Sequence, residues 1–285
     1  MLKPRNSLLT VSALMAVLLS APAFCAGPED FEVWSRTSEA SELDFTIEPP
    51  DLDAARDDWF VRIGVIGGMA PEFLGSDDFK PSWSPRLKVV WRDRLFINDR
   101  TAGVNLVRAG MLGMGGFIRY EGGRSEDNPG LDGMGDIDRT ASAGVFLNMR
   151  HEGLRFKSSV RQDVLGQGQG LLAQVAVETK VPWVEPWFSL QVGTTWANAK
   201  HLGTFFGVDA LQSLNAGLRR YDAGSGFRDV SVTLSSGYRL TDQWAVNGQA
   251  QYLRLLGEAA DSPLVEDQGD ANQYVVGMGV SYTFE

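Results

Sequence analysis

The chain has 285 residues with a formal charge of −10, 32 Gly, 8 Trp, two His and a single Cys. That length allows one large domain or two small ones. The acidic balance argues against a nucleic-acid partner, whose phosphates demand a basic face, and the lone Cys25, which falls in an apparent leader, excludes disulfides and thiol chemistry from the remainder.

Lys3 and Arg5 make a positive start, residues 8–19 are apolar, and Ala21-Pro22-Ala23 offers small residues for cleavage. Residues 1–26 are therefore predicted to be a signal peptide. A lipoprotein reading through Cys25 is disfavoured by Pro22 and Phe24, which stand where small or aliphatic residues belong. No later stretch reaches the roughly 18 apolar residues that a spanning helix needs. A membrane crossing must then be made by strands, because only helices and closed barrels satisfy their backbone groups in lipid. Residues 27–58 are acidic, lack a sustained period and are interrupted by Pro49 and Pro50. They read as a flexible periplasmic segment, with Phe31, Trp34, Phe45 and Ile47 as apolar anchors should it dock on a basic partner.

From Trp59 onward the pattern is two-sided. Trp59, Val61, Ile63 and Val65 alternate with Phe60, Arg62, Gly64 and Ile66; Leu87, Val89 and Trp91 alternate with Arg86, Lys88 and Val90. A short hairpin follows around residues 99–102. The alternation returns at 112–120, 141–150, 154–161, 171–181, 188–196, 229–239 and 244–252. In the last stretch, Tyr274, Val276, Met278, Val280, Tyr282 and Phe284 form one face, and Val275, Gly277, Gly279, Ser281 and Thr283 the other. Successive side chains on a strand point to opposite faces, so each stretch has an apolar outside and a small or polar inside. The sum is an all-β chain: a transmembrane antiparallel β-barrel over residues 59–285, of about twelve strands with ten as the alternative, both termini periplasmic. Short connections at 92–94, 108–110, 151–153, 182–186 and 240–243 alternate with long ones at 69–82, 122–137, 198–226 and 256–271, the asymmetry of outer-membrane barrels. All tryptophans except Trp34 fall at or near a predicted strand end, as interfacial girdles require. A soluble sandwich, the competing architecture, needs neither feature.

Several stretches resemble a known family: P-E-F-L-G-S-D-D-F from Pro71, R-Y-E-G-G-R from Arg119, R-Q-D-V-L-G from Arg161, T-F-F-G-V from Thr204, Y-D-A-G-S-G-F-R-D-V from Tyr221 and R-L-L-G-E-A-A-D-S-P-L-V from Arg254. They resemble the MipA/OmpV family of MltA-interacting outer-membrane proteins, from about residue 60 to the C-terminus. Glu258 stands where Asp is expected, and Glu285 extends past the usual final Phe. The resemblance implies localisation to the Gram-negative outer membrane and a non-enzymatic scaffold for a periplasmic lytic transglycosylase and a murein synthase, with membrane lipid and lipopolysaccharide as surroundings. A narrow diffusion pore for small solutes is the alternative, and a surface adhesin acting through the long loops is the second. Residues 27–58 lie outside the resemblance.

The residues themselves offer little catalysis. A hydrolase would need His beside Ser with a third polar group. His151 falls in a short turn, and His201 has Asp209 and Ser213 downstream without tight spacing. Asp136 and Asp138 make at most half a carboxylate site. Asp77 with Asp78, or Asp132 with Asp136 and Asp138, could hold calcium through oxygen, but solvated acidic loops are commoner, so no metal, cofactor or catalytic residue is predicted. Residues 209–216 read as a short helix capped by Asp209 and stopped at Gly217, folding the longest loop inward or over the mouth. Arg155, Lys157 and Arg161 make an inward basic stripe. It is expected to pair with carboxylates such as Glu178 and Asp229, the alternative being a path for anions.

Overall fold

A computed structural model describes residues 59–181 and 186–284; the predicted signal peptide, the acidic segment 27–58 and most of the turn 182–186 lie outside the described residues. Twelve strands form one closed antiparallel barrel: β1 (Trp59–Pro71), β2 (Phe79–Trp91), β3 (Leu95–Asn98), β4 (Thr101–Ala109), β5 (Leu112–Glu121), β6 (Thr140–His151), β7 (Leu154–Asp163), β8 (Leu171–Val181), β9 (Trp187–Ala197), β10 (Gly226–Arg239), β11 (Trp244–Leu255) and β12 (Asn272–Phe284). Each strand pairs with its neighbours in sequence. The last closes on the first from Val61↔Phe284 to Met69↔Val276. Closure removes the free edges that hydrocarbon cannot hydrogen-bond.

The alternation read from sequence sorts the side chains as expected. Val65, Ile118, Val145, Val175, Val276 and Met278 are exposed on the outside, while Glu121, Lys157, Glu178, Gln191, Thr233 and Gln251 are buried inside. Trp59, Trp91, Trp187 and Trp244 occupy the first or last positions of their strands, all at the end that carries the short turns. There the Trp59 and Trp91 rings lie 5.9 Å apart, and the Trp244 and Tyr282 rings 5.0 Å. Tyr252 and Tyr274, 5.3 Å apart, mark the opposite rim with Trp196 and Phe227. Two levels of amphipathic rings fit the two interfaces of a bilayer.

One expectation needs correction. Residues 69–82 are not a long loop: β1 runs to Pro71 and β2 begins at Phe79, leaving 72–78 as the connection. Consequently Trp83 lies well inside a strand rather than near its end. The prolines there obscured the strand. Leu87 faces the β3 side, where its N–H donates to Asp99 Oδ1 and its carbonyl accepts from the Asp99 N–H. Pro81 and Pro85 share its parity, and β3 pairs with β2 only from Lys88 to Trp91. The missing N–H groups therefore fall on a flank that no other described strand pairs, where a strand tolerates proline. The 99–100 turn of the β3–β4 hairpin lies on the opposite side from the other short turns, partway up the wall, since β3 is only four residues long.

Candidate functional site

At the end opposite the short turns, the long connections fold into a lid. Helix α1 (Ala199–Phe206) is capped by Asn198, whose side chain accepts the N–H of His201. Helix α2 (Ala210–Ala216) has the predicted Asp209 cap, closed into a capping box by Gln212, and ends at left-handed Gly217. Two one-turn helices follow in the last long connection, α3 (Gly257–Ala260) and α4 (Pro263–Glu266). The sequence reading found α2 but not α1, and α1 makes the seal. Its His201, Leu202, Phe205 and Phe206 are buried, whereas α2 buries nothing. The missed signal was the capping Asn198 followed by apolar residues spaced three and four apart.

Leu202, Phe205 and Phe206 pack with Leu74, Leu172, Leu253, Leu255, Ala259 and Val265. A second cluster joins Phe73, Leu131, Met134, Val208, Leu218 and Leu264. Four different connections and the rim of the wall thus share one apolar layer. Hydrogen bonds tie them further: Arg124 Nη1 to the Phe205 carbonyl (2.6 Å), Gln212 Nε2 to the Met134 carbonyl (2.6 Å), and the Ser262 hydroxyl to the Phe206 carbonyl (2.6 Å). Phe73 and Leu74, Phe205 and Phe206, Arg228 and Asp229, and Leu255 to Val265 all come from stretches that carried the family resemblance, and they converge on this lid.

Beneath α1 sits a buried polar knot. A bulge between Phe227 and Asp229 breaks the alternation of β10 and turns Arg228 inward. Its Nε lies 2.7 Å from Asp229 Oδ2, and Nη1 lies 3.3 Å from His201 Nε2. His201 Nδ1 meets the Gln169 carbonyl at 2.7 Å, so Nδ1 carries the proton and Nε2 accepts from the arginine. Gln169 in turn donates to the carbonyls of Gly122 and Asp138. Burial, followed by the charge of Arg228, pushes the His201 pKa down from 6.5 to about 3. A histidine held neutral in the closed lid contributes stability that is complete above pH 6.5 and is lost as the pH falls from 6.5 toward 3. Lid opening should become roughly tenfold more favourable per pH unit across that window. Thermal unfolding followed from pH 7.5 to 4.5 checks this: the His201→Gln protein should show a flatter profile, and identical profiles would remove His201 as the cause.

Lower in the barrel the basic stripe is largely balanced. Glu178 lies 2.6 Å from Lys157 and 3.5 Å from Arg155, and Glu121 lies 2.9 Å from Arg161 and 3.4 Å from Arg119. Glu178 plays the part expected of it. Asp229 does not, being engaged with Arg228. On the other wall Val90, Phe96, Phe117 and Phe146 form an internal apolar cluster. Toward the end with the short turns the lumen widens into a chamber of about 420 Å³, bordered among others by Arg62, Arg86, Lys88, Lys180, Asp99 and Glu178.

The hydrolase candidates do not assemble. His151 is solvent-exposed beside Glu152 at the turn end. Ser213 donates to the Leu218 carbonyl, and Asp209 caps α2, so neither is turned to His201. Among the described residues no three His, Cys, Asp or Glu side chains converge as metal ligands. Asp136 accepts the Glu126 N–H in its loop.

A family model described as MltA-interacting protein MipA matches residues 63–284. The chain is similar to the MltA-interacting protein of Escherichia coli (strain K12), 29% identical over 93 residues; that stretch covers 33% of this chain and 36% of the relative, about a third of its length. Similarity to the outer membrane protein Omp26La of Vibrio anguillarum is more extended, 23% over 236 residues, covering 79% and 86% of the two chains. The outer membrane protein OmpV of Vibrio cholerae matches at 23% over 185 residues, 63% of this chain and 67% of that one. Among solved structures, a FadL homologue of Pseudomonas aeruginosa superposes with a TM-score of 0.44 at 9% identity, covering 88% of this chain and 98% of that one.

Proposed function

The chain belongs to the MltA-interacting protein MipA family and is an outer-membrane β-barrel, and from that premise we propose a non-enzymatic scaffold that holds murein-lytic and murein-synthesising enzymes at the inner face of the outer membrane. The observation that carries the reading is the lid. Leu202, Phe206, Leu253, Leu255 and Leu264 are each no more than 1% exposed, so the mouth is closed by a packed apolar layer rather than by a loose loop. A barrel with one mouth sealed in this way does its work at the other. On this proposal the termini and the short turns face the periplasm, as the length asymmetry of bacterial barrels suggests. A soluble periplasmic enzyme then meets the short turns and the acidic residues 27–58 behind a cleaved signal peptide.

The relative in Escherichia coli is named for its interaction with MltA, and a murein transglycosylase of that kind is the partner proposed here. A basic face on the enzyme would complement the acidic stretch. Immobilised full chain should retain a purified lytic transglycosylase several-fold better than a chain lacking residues 27–58; equal retention would count against the proposal. A narrow solute pore is the second reading, favoured by the chamber in the lumen. The adhesin reading has less to draw on, since the long loops are spent largely on the lid.

A further inference from the structure

We infer that the lipid-facing wall of the barrel carries, around Arg254 of β11, a binding site for the phosphate of a membrane lipid, lipopolysaccharide in the leaflet at the lid end. The inference rests on the orientation proposed above and stands apart from any protein partner. Parity singles the residue out. In the described strands every other Lys, Arg, Asp and Glu falls on the inward parity, Arg228 by way of the β10 bulge. Arg254 alone shares the lipid-facing parity of Trp244, Ala250 and Tyr252, with Val230 of β10 and Asn272 of β12 as its direct partners. It is exposed and stands one position before the lid-end terminus of β11. A charge on the lipid face costs more the deeper it sits, and a cation near the interface turns its head toward the lipid phosphates.

The guanidinium is held in place without being neutralised. Asn272 Oδ1 accepts from Arg254 Nη1 at 2.7 Å and from the Tyr252 hydroxyl at 2.8 Å. Asn272 is itself fixed by Asp270 Oδ1, which accepts its backbone N–H at 2.8 Å and its Nδ2 at 2.9 Å. Among the described residues Arg254 makes no further hydrogen bond and no ion pair, so Nε and Nη2 remain as donors. Those two N–H groups form the planar fork that a phosphate accepts bidentately.

The wall below has the shape an acyl chain requires. Past Tyr252 the lipid face of β11 carries Ala250 and then Gly248. Ala250 lies between Leu234 of β10 and Val276 of β12, and Gly248 lies beside Met278. Leu234, Val276 and Met278 are 46%, 57% and 67% exposed, so they stand as ridges along a trough one strand wide. The Tyr252 and Tyr274 rings, 5.3 Å apart, mark the interfacial level between cation and trough. A cation above and an apolar trough below match an amphiphile, whereas a soluble anion would use the cation only.

The test is native mass spectrometry of the purified full chain in detergent with bisphosphorylated lipid A, with the same lipid A stripped of its phosphates, and with phosphatidylglycerol. Bisphosphorylated lipid A should be retained several-fold better than either of the others, and an excess of inorganic phosphate should not displace it. Arg254→Gln should cut that retention about tenfold, the loss expected for a charge-assisted hydrogen bond, while leaving the melting temperature of the lipid-free protein unchanged. Arg254→Lys, which keeps the charge but not the fork, should lie between. Ala250→Leu should weaken retention several-fold by filling the trough with the charge intact. Equal retention of the two forms of lipid A, or an Arg254→Gln protein that binds as the parent does, would overturn the site. Preference for phosphatidylglycerol would overturn the choice of lipopolysaccharide. Orientation is read separately by labelling Lys200→Cys on whole cells with a membrane-impermeant maleimide: labelling is expected, and its absence would overturn the leaflet assigned here, whatever the lipid measurement gives.

Discussion

Glu178→Gln should lower the stability of the barrel by roughly 3–5 kcal/mol, the usual cost of removing one member of a buried ion pair, read as a lower urea midpoint for unfolding from lipid vesicles. The carboxylate is 3% exposed and lies between Lys157 at 2.6 Å and Arg155 at 3.5 Å, both themselves buried. Glutamine keeps the shape and removes the charge, leaving two buried cations confronting each other. Lys157 retains the Gln191 amide oxygen at 3.1 Å, which places the loss toward the lower end of that interval. The converse variant separates charge from packing. With Arg155, Lys157 and Glu178 all replaced by apolar residues of similar size, much of the lost stability should return, because no isolated charge remains. A Glu178→Gln protein as stable as the parent would mean that water in the lumen already screens the triad.

The other large effect concerns conduction. Purified protein in planar bilayers should be silent, and a chain with residues 199–222 replaced by a short glycine-serine link should give discrete current steps. The reasoning is energetic as well as geometric. Phe206 and Leu202 are 1% and 0% exposed, and truncating a buried Phe or Leu to alanine costs about 2–5 kcal/mol each. Phe206→Ala with Leu202→Ala therefore removes enough to loosen a lid whose local stability is below that of the barrel. The double variant should flicker, and the deletion should conduct steadily. Steps from the parent protein would make the lid a gate rather than a seal and would favour the pore reading. Silence from the deletion would place the block lower, at the Glu178 triad and the Phe96–Phe117–Phe146 cluster.

The three places where sequence reading and structure part company have a common origin. Residues 69–82 read as loop because Pro71, Gly75, Pro81 and a pair of aspartates are turn formers, and nothing local reveals that the flank of β2 carrying Pro81 and Pro85 is left unpaired by β3. The parity of Asp229 in the sequence makes it an inward carboxylate, and it is buried inside the barrel. Its engagement by Arg228 depends on a one-residue bulge, and a bulge is set by the neighbouring strand rather than by its own sequence. Helix α1 is eight residues long, and its apolar positions could equally have been a strand end until the Asn198 cap is weighed. By contrast the Asp209–Gly217 helix was legible because both of its ends carry side-chain chemistry that acts within the segment.

The sequence by itself determined that strands cross the membrane, that there are about twelve, and which side of each meets lipid. A period of two, a girdle of aromatics and a series of turn residues are local properties, and lipid enforces them strand by strand. Tertiary structure alone decided that the mouth is sealed, that His201 is neutral, and that Arg62 and Lys88 stand face to face in a chamber. Each of these depends on register or on contacts between connections far apart in the chain. One residue of slip would turn every inward side chain outward, so the contents of the lumen exist only once the barrel has closed.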